Sequence, residues 1–403
     1  MASEDNRKRN AYGQPYTVLS EPELSAELAR LALAQSPTTD TDVVSLQPCP
    51  SPGERSQDRF FVADWALSGG TWRFRAIWDG HAGHDTVDHA KNVMPSAIHD
   101  ALIAALANAN GVSVEPKVVS DLIRDTIESV DKKIGDEFTA LFPGGPDSIA
   151  AMSDEQITAI INDDTDNNAK TLRCMRGTTV LVSLISPNLD VWVASLGDCQ
   201  AVLGVKQASG EWTTSVLSSN HNGTDASEAE RIRKEHPDEE ECLLHNRVLG
   251  ALAVTRALGD FEFKLPPIYT MRVYMLCKPG FRVSSSVVDF STRNLTPPYV
   301  SAVSDVQHIK VEAAGVQEAL LVLASDGLVD LSGDSYGMDH REPEISGRKW
   351  IEVLGRGDRK GNKALWLLRD AMGQEEDKVS SLLTLESEGR WMDDTTIICT
   401  SLF

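Results

Sequence analysis

The most constraining feature of the sequence is a group of short apolar runs joined by very short connections. The linkers SPNLD and KQASGE have the composition and length of hairpin turns. Connections of this length can join antiparallel strands but leave no room for the crossover that parallel neighbours need. The sequence therefore predicts a run of antiparallel strands over 178–185, 191–196, 200–205 and 212–217.

Further elements surround this run. Aromatic and β-branched stretches over 59–67 and 71–78 flank a Ser-Gly-Gly turn, which predicts a β-hairpin. Helical spacing of apolar residues and one capping box, at Ser153 and Gln156, predict several helices. The helices are expected over 21–33, 85–108, 116–141, 153–161, 227–236 and 363–372, and two more strands over 319–324 and 395–402.

The order of these elements indicates the fold class. Regular alternation of strand and helix is missing, which disfavours a doubly wound parallel sheet, and segregated hairpins and helices favour an α+β fold. We expect a flexible tail over residues 1–15 and a single domain over 16–403. Within the domain, 36–57 is interpreted as an extended loop, 162–168 as an acidic loop and 265–300 as an irregular insertion.

Charge and cysteine usage narrow the class further. The 403-residue chain carries a formal charge of −22, which argues against a nucleic-acid partner or an anionic membrane surface. No apolar run reaches the length of a transmembrane helix. The six cysteines form no C-x-x-C pair and several lie in apolar runs, which favours a reducing, intracellular compartment. The first residues form no secretory signal and no clear transit peptide.

Five aspartates occur in one local pattern, beside an apolar run. They are Asp58, Asp79, Asp198, Asp326 and Asp393. One such residue alone is most often part of a turn, because Asp-Gly after a strand is a common turn dipeptide. Five that converge would repel one another unless a cation offset their charge. Mg²⁺ and Mn²⁺ prefer such oxygen ligands, so these aspartates are candidate metal ligands.

His81 follows Asp79 by two residues and is the candidate proton donor. Two metal ions can acidify a shared water and hold a phosphoryl group, while a histidine protonates the leaving oxygen. The local sequence fits a turn histidine with a structural hydrogen bond equally well.

Zinc bound by His81, His84 and His89 is disfavoured, since the neighbouring acids suit a harder ion. The segment 164–175 lacks the glycine and glutamate of a calcium loop.

An ordered set of motifs resembles the metal-dependent protein phosphatase 2C family. The resemblance implies a central β-sandwich of two antiparallel sheets flanked by helices. It also implies a Mn²⁺ or Mg²⁺ pair, with room for a third ion, and hydrolysis of phosphoserine and phosphothreonine in proteins without a phosphoenzyme. The motifs are Gln57-Asp58-Arg59, Asp79-Gly80-His81-Ala82-Gly83, Arg176-Gly177-Thr178-Thr179, Gly197-Asp198, Thr255-Arg256-Ala257-Leu258-Gly259-Asp260, Ala324-Ser325-Asp326-Gly327-Leu328 and Asp393-Asp394-Thr395-Thr396.

Residue roles follow from this resemblance. His81 matches the proposed general acid of the family, and Asp198 matches an acid near an additional, weaker metal site. The remaining matches are ligands of the metal pair, through the carboxylates of Asp58, Asp79, Asp326 and Asp393 and the carbonyl of Gly80.

Other stretches resemble the branch that contains pyruvate dehydrogenase phosphatase catalytic subunits, among them Asn246-Arg247-Val248-Leu249-Gly250 and Thr296-Pro297-Pro298-Tyr299. This likeness suggests pyruvate dehydrogenase as the substrate and the mitochondrial matrix as the compartment, with the cytosol otherwise. It leaves any regulatory partner open.

The chain departs from the family pattern at the phosphate anchor. Gly53 occupies the position where many relatives have an arginine, and Arg55 and Arg59 are the nearby candidates to bind substrate phosphate. This substitution keeps a second hypothesis open, a catalytically weak or inactive phosphatase fold that acts as a binding or regulatory module. The intact aspartates argue against that hypothesis.

Overall fold

The computed structural model describes residues 6–109, 114–283, 285–337, 342–356 and 361–403. The helices are α1 Glu23–Leu31, α2 Asp85–Asn108, α3 Pro116–Thr139, α4 Gly145–Ala151, α5 Asp154–Asn162, α6 Thr165–Met175, α7 Ala226–Glu235, α8 Val287–Arg293, α9 Asp326–Tyr336, α10 Pro343–Leu354, α11 Lys363–Ala371 and α12 Glu376–Leu383. The strands are β1 Arg7–Arg9, β2 Pro15–Thr17, β3 Gln35–Thr38, β4 Thr41–Leu46, β5 Arg59–Leu67, β6 Gly70–Trp78, β7 Gly80–His81, β8 Gly177–Thr178, β9 Val180–Ile185, β10 Asp190–Leu196, β11 Gln200–Gln207, β12 Trp212–Val216, β13 Leu243–Leu244, β14 Arg247–Val248, β15 Leu258–Gly259, β16 Asp305–Lys310, β17 Val316–Ala324 and β18 Thr395–Ser401.

The chain forms two compact units. The first unit holds the residues up to Val62, the segment Gln200–Leu217 and the residues from Lys310 onward. The second unit holds Ala63–Cys199 and Ser218–Ile309. Each unit contains one large sheet.

The sheet of the first unit has the strand order β12-β11-β17-β18-β4-β3. Its neighbours pair antiparallel, with Val322 opposite both Val202 and Cys399. Alternate residues of β17 point to the same face, so Leu320 and Val322 join one core cluster with Trp350 of α10 and Leu367 of α11. Helices α9, α10 and α11 pack beside this sheet and bury that face.

The second unit contains a sheet of order β16-β10-β9-β6-β5 and a small sheet of order β15-β8-β7. The predicted hairpin supplies β5 and β6, and β6 pairs with β9 in antiparallel register, with Ala76 opposite Val182. Helices α2 and α3 pack against each other and α3 contacts β10. The small sheet begins just after β6 ends, so it positions the residues around Asp79 and His81.

Most predicted elements are present, and the capping box before α5 is confirmed, because Ser153 and Gln156 exchange both hydrogen bonds. Three assignments need correction. The presumed loop over 36–57 contains β4, which pairs with β18 from the far end of the chain. The presumed loop over 162–168 contains the start of α6, since Asp164 caps its first turn. The insertion over 265–300 includes α8 and two shorter helical segments.

The segment predicted as a flexible tail is also paired where the structure describes it. Strand β1 pairs antiparallel with β2, and the side chains of Arg7 and Lys8 bond to Glu386 and Asp377. A short polar run gives no hydrophobic periodicity, so sequence patterns could not reveal this pairing. The prediction of a single domain over 16–403 stays a prediction.

Within the part of the chain that the structure describes, every helix is too short or too polar to cross a lipid bilayer.

The core of the first unit predicts one stability effect. Trp350 is fully buried and its indole N–H donates to Ser332 Oγ at 3.0 Å. We expect Trp350→Ala to lower the free energy of unfolding by about 3–5 kcal/mol, through lost burial and the cavity left behind. Urea unfolding followed by circular dichroism measures this. Trp366→Ala, at a partly exposed position of α11, is the matched control, and an equal loss there would contradict the prediction.

Candidate functional site

The turn that carries Asp79 is fixed by the start of the neighbouring strands. Asp79 directly follows β6, and its carbonyl oxygen accepts hydrogen bonds from the Thr179 N–H at 2.8 Å and from Thr178 Oγ1 at 3.0 Å. Its own N–H donates to Thr179 Oγ1 at 3.2 Å. The predicted metal ligand is therefore held by its main chain, which leaves its carboxylate for other contacts.

His81 forms a close pair with a buried carboxylate. Its Nε2 lies 2.9 Å and 2.8 Å from the two carboxylate oxygens of Asp260. Asp260 is 1% exposed and has left-handed backbone geometry, with φ of 51°. The pair fits only because residue 177 is glycine, since a Cβ there would lie 2.0 Å from His81 Nε2 and 2.2 Å from an Asp260 oxygen.

The surroundings of His81 favour its protonated form. Burial lowers the pKa of His81, but the charge and hydrogen bond of Asp260 and the charge of Asp198 outweigh burial and raise it above its ordinary value. About a quarter of the side chain, 27%, stays exposed. The ring is anchored on one nitrogen and accessible from outside, and its raised pKa favours the protonated form that a proton donor needs.

Asp198 lies in the turn after β10, next to Asp79. A carboxylate oxygen of Asp198 and one of Asp79 lie within 4.8 Å of each other. Asn222 Nδ2 donates to Asp198 Oδ2 at 2.8 Å. His221 holds the preceding residue twice, accepting from the Gly197 N–H at 3.2 Å and donating its own N–H to the Gly197 carbonyl at 2.9 Å. Two adjacent side chains therefore position this carboxylate.

Asp58, in the first unit, is a buried carboxylate. It is 3% exposed and accepts a hydrogen bond from Ser325 Oγ at 2.7 Å on Oδ2, while Oδ1 is buried with no hydrogen-bond partner among the described residues. Burial, followed by the charge of Asp394, raises the pKa of Asp58 to about 7. A carboxylate in this setting favours either a proton or a cation.

The other acids of the first unit surround the same loop. Asp394 is buried and accepts from the Gln57 N–H at 2.7 Å and from Arg390 Nη1 at 2.9 Å, which fixes the chain just before Asp58. Asp393 is exposed, yet partial loss of hydration and the charge of Asp394 raise its pKa. Asp326 begins α9, directly after the Ser325 that bonds Asp58.

The donor atoms suit a hard cation in both units. In the second unit, carboxylate oxygens of Asp79 and Asp198 lie within 4.8 Å of each other, and in the first unit Asp58 Oδ1 is buried without a hydrogen bond from the described residues. Oxygen ligands of this kind fit Mg²⁺ or Mn²⁺ better than Zn²⁺. Of the histidines considered for zinc, His81 bonds Asp260 and His89 lies 3.1 Å from Arg173 Nη1.

The two candidate phosphate-binding arginines differ in their contacts. Arg59 donates from Nη1 to the carbonyls of Ser56 at 2.9 Å and Asp58 at 2.8 Å, which braces its own loop. Arg55 is exposed, and its carbonyl accepts from Arg390 Nη2 at 2.8 Å. Gly53 is also exposed. The phosphate-binding role of both arginines stays a prediction.

Sequence reasoning gave no role to several residues that organise the site. Four of them lie inside the quoted motifs, whereas His221 and Asn222 lie outside, and a motif does not show which of its members bond to one another. The set comprises Gly177, Asp260, His221, Asn222, Ser325 and Asp394.

With the geometry in place, comparison with known proteins identifies the family. The family profile described as Protein phosphatase 2C matches residues 55–340. This match covers most of the chain, so the chain belongs to the protein phosphatase 2C family, as its motifs predicted. The expected class, a protein serine/threonine phosphatase of α+β fold, is confirmed, and metal dependence is a property of that family.

Individual relatives agree with this assignment. A protein phosphatase 2C homolog of Schizosaccharomyces pombe is 26% identical over 88% of this chain and 78% of its own length. Bovine mitochondrial pyruvate dehydrogenase phosphatase 1 is 31% identical, over 55% of this chain and 47% of that protein. The chain thus matches less than half of the latter. The crystal structure of a serine-threonine phosphatase 2C from Toxoplasma gondii matches with a TM-score of 0.53 at 13% identity, over 91% of this chain and 96% of that one, which supports the fold.

The environment of Asp58 predicts a pH dependence of the metal-free protein. Its folded pKa of about 7 lies above its ordinary value of 3.8, so its contribution to stability is present at low pH and is lost as pH rises through about 7. Between these values the free energy of unfolding should fall by at most roughly 1.4 kcal/mol per pH unit because of this group.

Urea unfolding in EDTA at several pH values tests this prediction, with Asp58→Asn as the comparison. In the variant, the free energy of unfolding should fall less steeply with pH, because the contribution of Asp58 is gone. The same slope in both proteins would contradict the prediction.

Proposed function

We propose that this chain hydrolyses phosphoserine and phosphothreonine in a protein substrate, with Mn²⁺ or Mg²⁺ as cofactor. The observation that carries the proposal is the close pairing of His81, two residues beyond Asp79, with the buried carboxylate of Asp260. A protonated, anchored imidazole beside carboxylates suits the release of an alkoxide from an anionic phosphate ester.

The cation ligands that we propose are those of the predicted set. Two bound metal ions would supply an acidified water and positive charge for the phosphoryl oxygens. The chain would hold the two ions through Asp58, Asp79, Asp326, Asp393 and the Gly80 carbonyl, and a third through Asp198.

The remaining steps belong to side chains of the protein. His81 would donate its proton to the leaving serine or threonine oxygen, while Asp260 keeps the ring oriented and stabilises its charge. Asn222 would donate a hydrogen bond to one oxygen of Asp198, and Ser325 to one oxygen of Asp58. These bonds would limit the rotation of the two carboxylates.

For the substrate phosphate, we propose Arg55 or Arg59, of which Arg55 is the more exposed. A guanidinium can bind two phosphate oxygens at once.

The alternative function, a binding module with weak or no catalysis, draws support from Gly53 at the expected arginine position. Turnover of a phosphopeptide with Mn²⁺ that EDTA stops would decide against it.

We further propose pyruvate dehydrogenase as a substrate and the mitochondrial matrix as the compartment. Support comes from the likeness to mitochondrial pyruvate dehydrogenase phosphatases of mammals and of Saccharomyces cerevisiae, at 31% and 34% identity. Both likenesses cover only part of each protein.

The ligand assignment makes a direct prediction. Asp79→Asn and Asp326→Asn should each reduce Mn²⁺-dependent turnover of a phosphopeptide to the level seen in EDTA, because each removes a ligand charge. Isothermal titration should show weaker Mn²⁺ binding by the same variants. Asp125→Asn, on helix α3, is the control and should behave as the parent protein. Near-normal turnover in either ligand variant would refute the assignment.

The acid role of His81 predicts a dependence on the leaving group. His81→Gln should lower turnover of phosphoserine peptides by about 10²–10⁴-fold, but should affect an activated aryl phosphate much less, since a good leaving group needs no proton. Gly177→Ala should show the same selectivity, because its Cβ displaces the ring. Gly53→Ala is the matched glycine control, with no atom within 4 Å of its Cβ. Equal losses for both substrates would contradict the acid role.

The substrate proposal has its own test. The purified chain, with Mn²⁺ or Mg²⁺, should remove phosphate from phosphorylated pyruvate dehydrogenase faster than from a phosphopeptide of the same sequence. Cofractionation of the protein with mitochondria is the parallel test of the compartment. Equal rates on both substrates would argue for a different physiological substrate.

A further inference from the structure

Arg176 is a buried guanidinium that the proposed reaction does not use. It is 1% exposed and lies between α6 and β8, directly before the Gly177 that makes room for His81. A buried arginine keeps its charge and needs acceptors within the protein. The position of those acceptors shows what the residue connects.

The acceptors of its side chain belong to the insertion. Nη2 donates to the carbonyls of Pro279 at 3.3 Å and Gly280 at 2.8 Å. The residues just before are held from α5, because Asn162 donates to the Leu276 carbonyl at 3.0 Å and accepts from the Lys278 N–H at 2.8 Å. The segment 276–280 is therefore bonded to the body of the second unit on both sides.

The same guanidinium lies against the turn that follows His81. A Cβ on Gly83 would be 2.6 Å from Arg176 Nε, so the turn and the side chain are in direct contact. The main chain of Arg176 continues this connection, since its carbonyl accepts from Thr86 Oγ1 at 2.8 Å and from the Asp260 N–H at 3.0 Å. Asp260 is the partner of His81.

Few other groups offset the charge of the Arg176 guanidinium. Nε and Nη1 have no hydrogen-bond partner among the described residues, and the Asp85 carboxylate is 3.9 Å from Nε. Moving segment 276–280 away would thus leave a buried guanidinium without its hydrogen-bond acceptors, which is costly. The insertion and the turn therefore depend on one side chain.

We propose that Arg176 is a positioning residue that couples the insertion over 265–300 to the turn over 79–84, so that binding of the phosphoprotein substrate to the insertion affects the placement of His81. The insertion has apolar side chains that a protein substrate can cover, with Met271 39%, Met275 48% and Leu295 66% exposed. The substrate part of this inference rests on the proposed phosphatase function, whereas the coupling does not.

Hydrogen exchange of the full chain without metal tests the coupling independently of activity. In Arg176→Met, amides in 276–280 and in 80–86 should both exchange about tenfold faster, the effect of losing a charge-assisted hydrogen bond. Exchange in α11 should not change. Arg173→Met, three residues earlier on α6, is the matched control and should leave both segments unchanged. If α11 also accelerates, Arg176→Lys, which keeps the charge, is measured in its place.

Acceleration confined to 276–280 would show that Arg176 anchors the insertion alone, and would overturn the proposal, as would no change in either segment. Kinetics test the second part. Arg176→Lys should lower kcat/KM for a phosphoprotein about tenfold more than for a small aryl phosphate. Equal losses would leave a purely structural role and overturn the coupling to substrate. If the parent protein shows no phosphatase activity, the proposed function fails while the exchange result still decides the coupling.

Discussion

The close approach at Gly177 is the contact on which the turn that carries His81 depends. Two side chains, His81 and Asp260, occupy the space that a Cβ would fill. Strand β8 pairs on one side with β7, which carries His81, and on the other with β15, which precedes Asp260. A three-stranded sheet of minimal length therefore sets the distance between His81 and Asp260 through backbone hydrogen bonds.

Burial and a neighbouring charge make Asp58 a carboxylate that a cation would stabilise. Asp58 is buried next to Asp394, and burial together with like charge raises its pKa to about 7. The protein offsets part of this cost with Ser325 and with Arg390, which bonds Asp394. One oxygen of Asp58 still lacks a hydrogen bond from the described residues. Such a carboxylate is unfavourable without a partner and favourable beside a divalent ion, as the proposed role of Asp58 requires.

Side chains that a motif reading treats as turn or loop residues have defined tasks in the structure. Asp164 caps α6 and Asn162 bonds to the backbone of the insertion, so the acidic stretch over 162–168 is an anchoring segment. His221 and Asn222 hold the turn of Asp198. In each case an amide, imidazole or carboxylate satisfies a backbone group or a carboxylate that burial would otherwise leave unpaired.

The sequence alone determined the elements with strong local patterns, including the hairpin of β5 and β6, helices α2 and α3, and the aspartates that end apolar runs. It also determined the family, because the ordered motifs are local. Only the tertiary structure decided that β4 pairs with β18, that residues 7–9 form a strand, and that Asp260, Asn222 and Ser325 hold His81, Asp198 and Asp58. The physical reason is separation along the chain: these partners are brought together by folding, and periodicity within a short window contains no record of them.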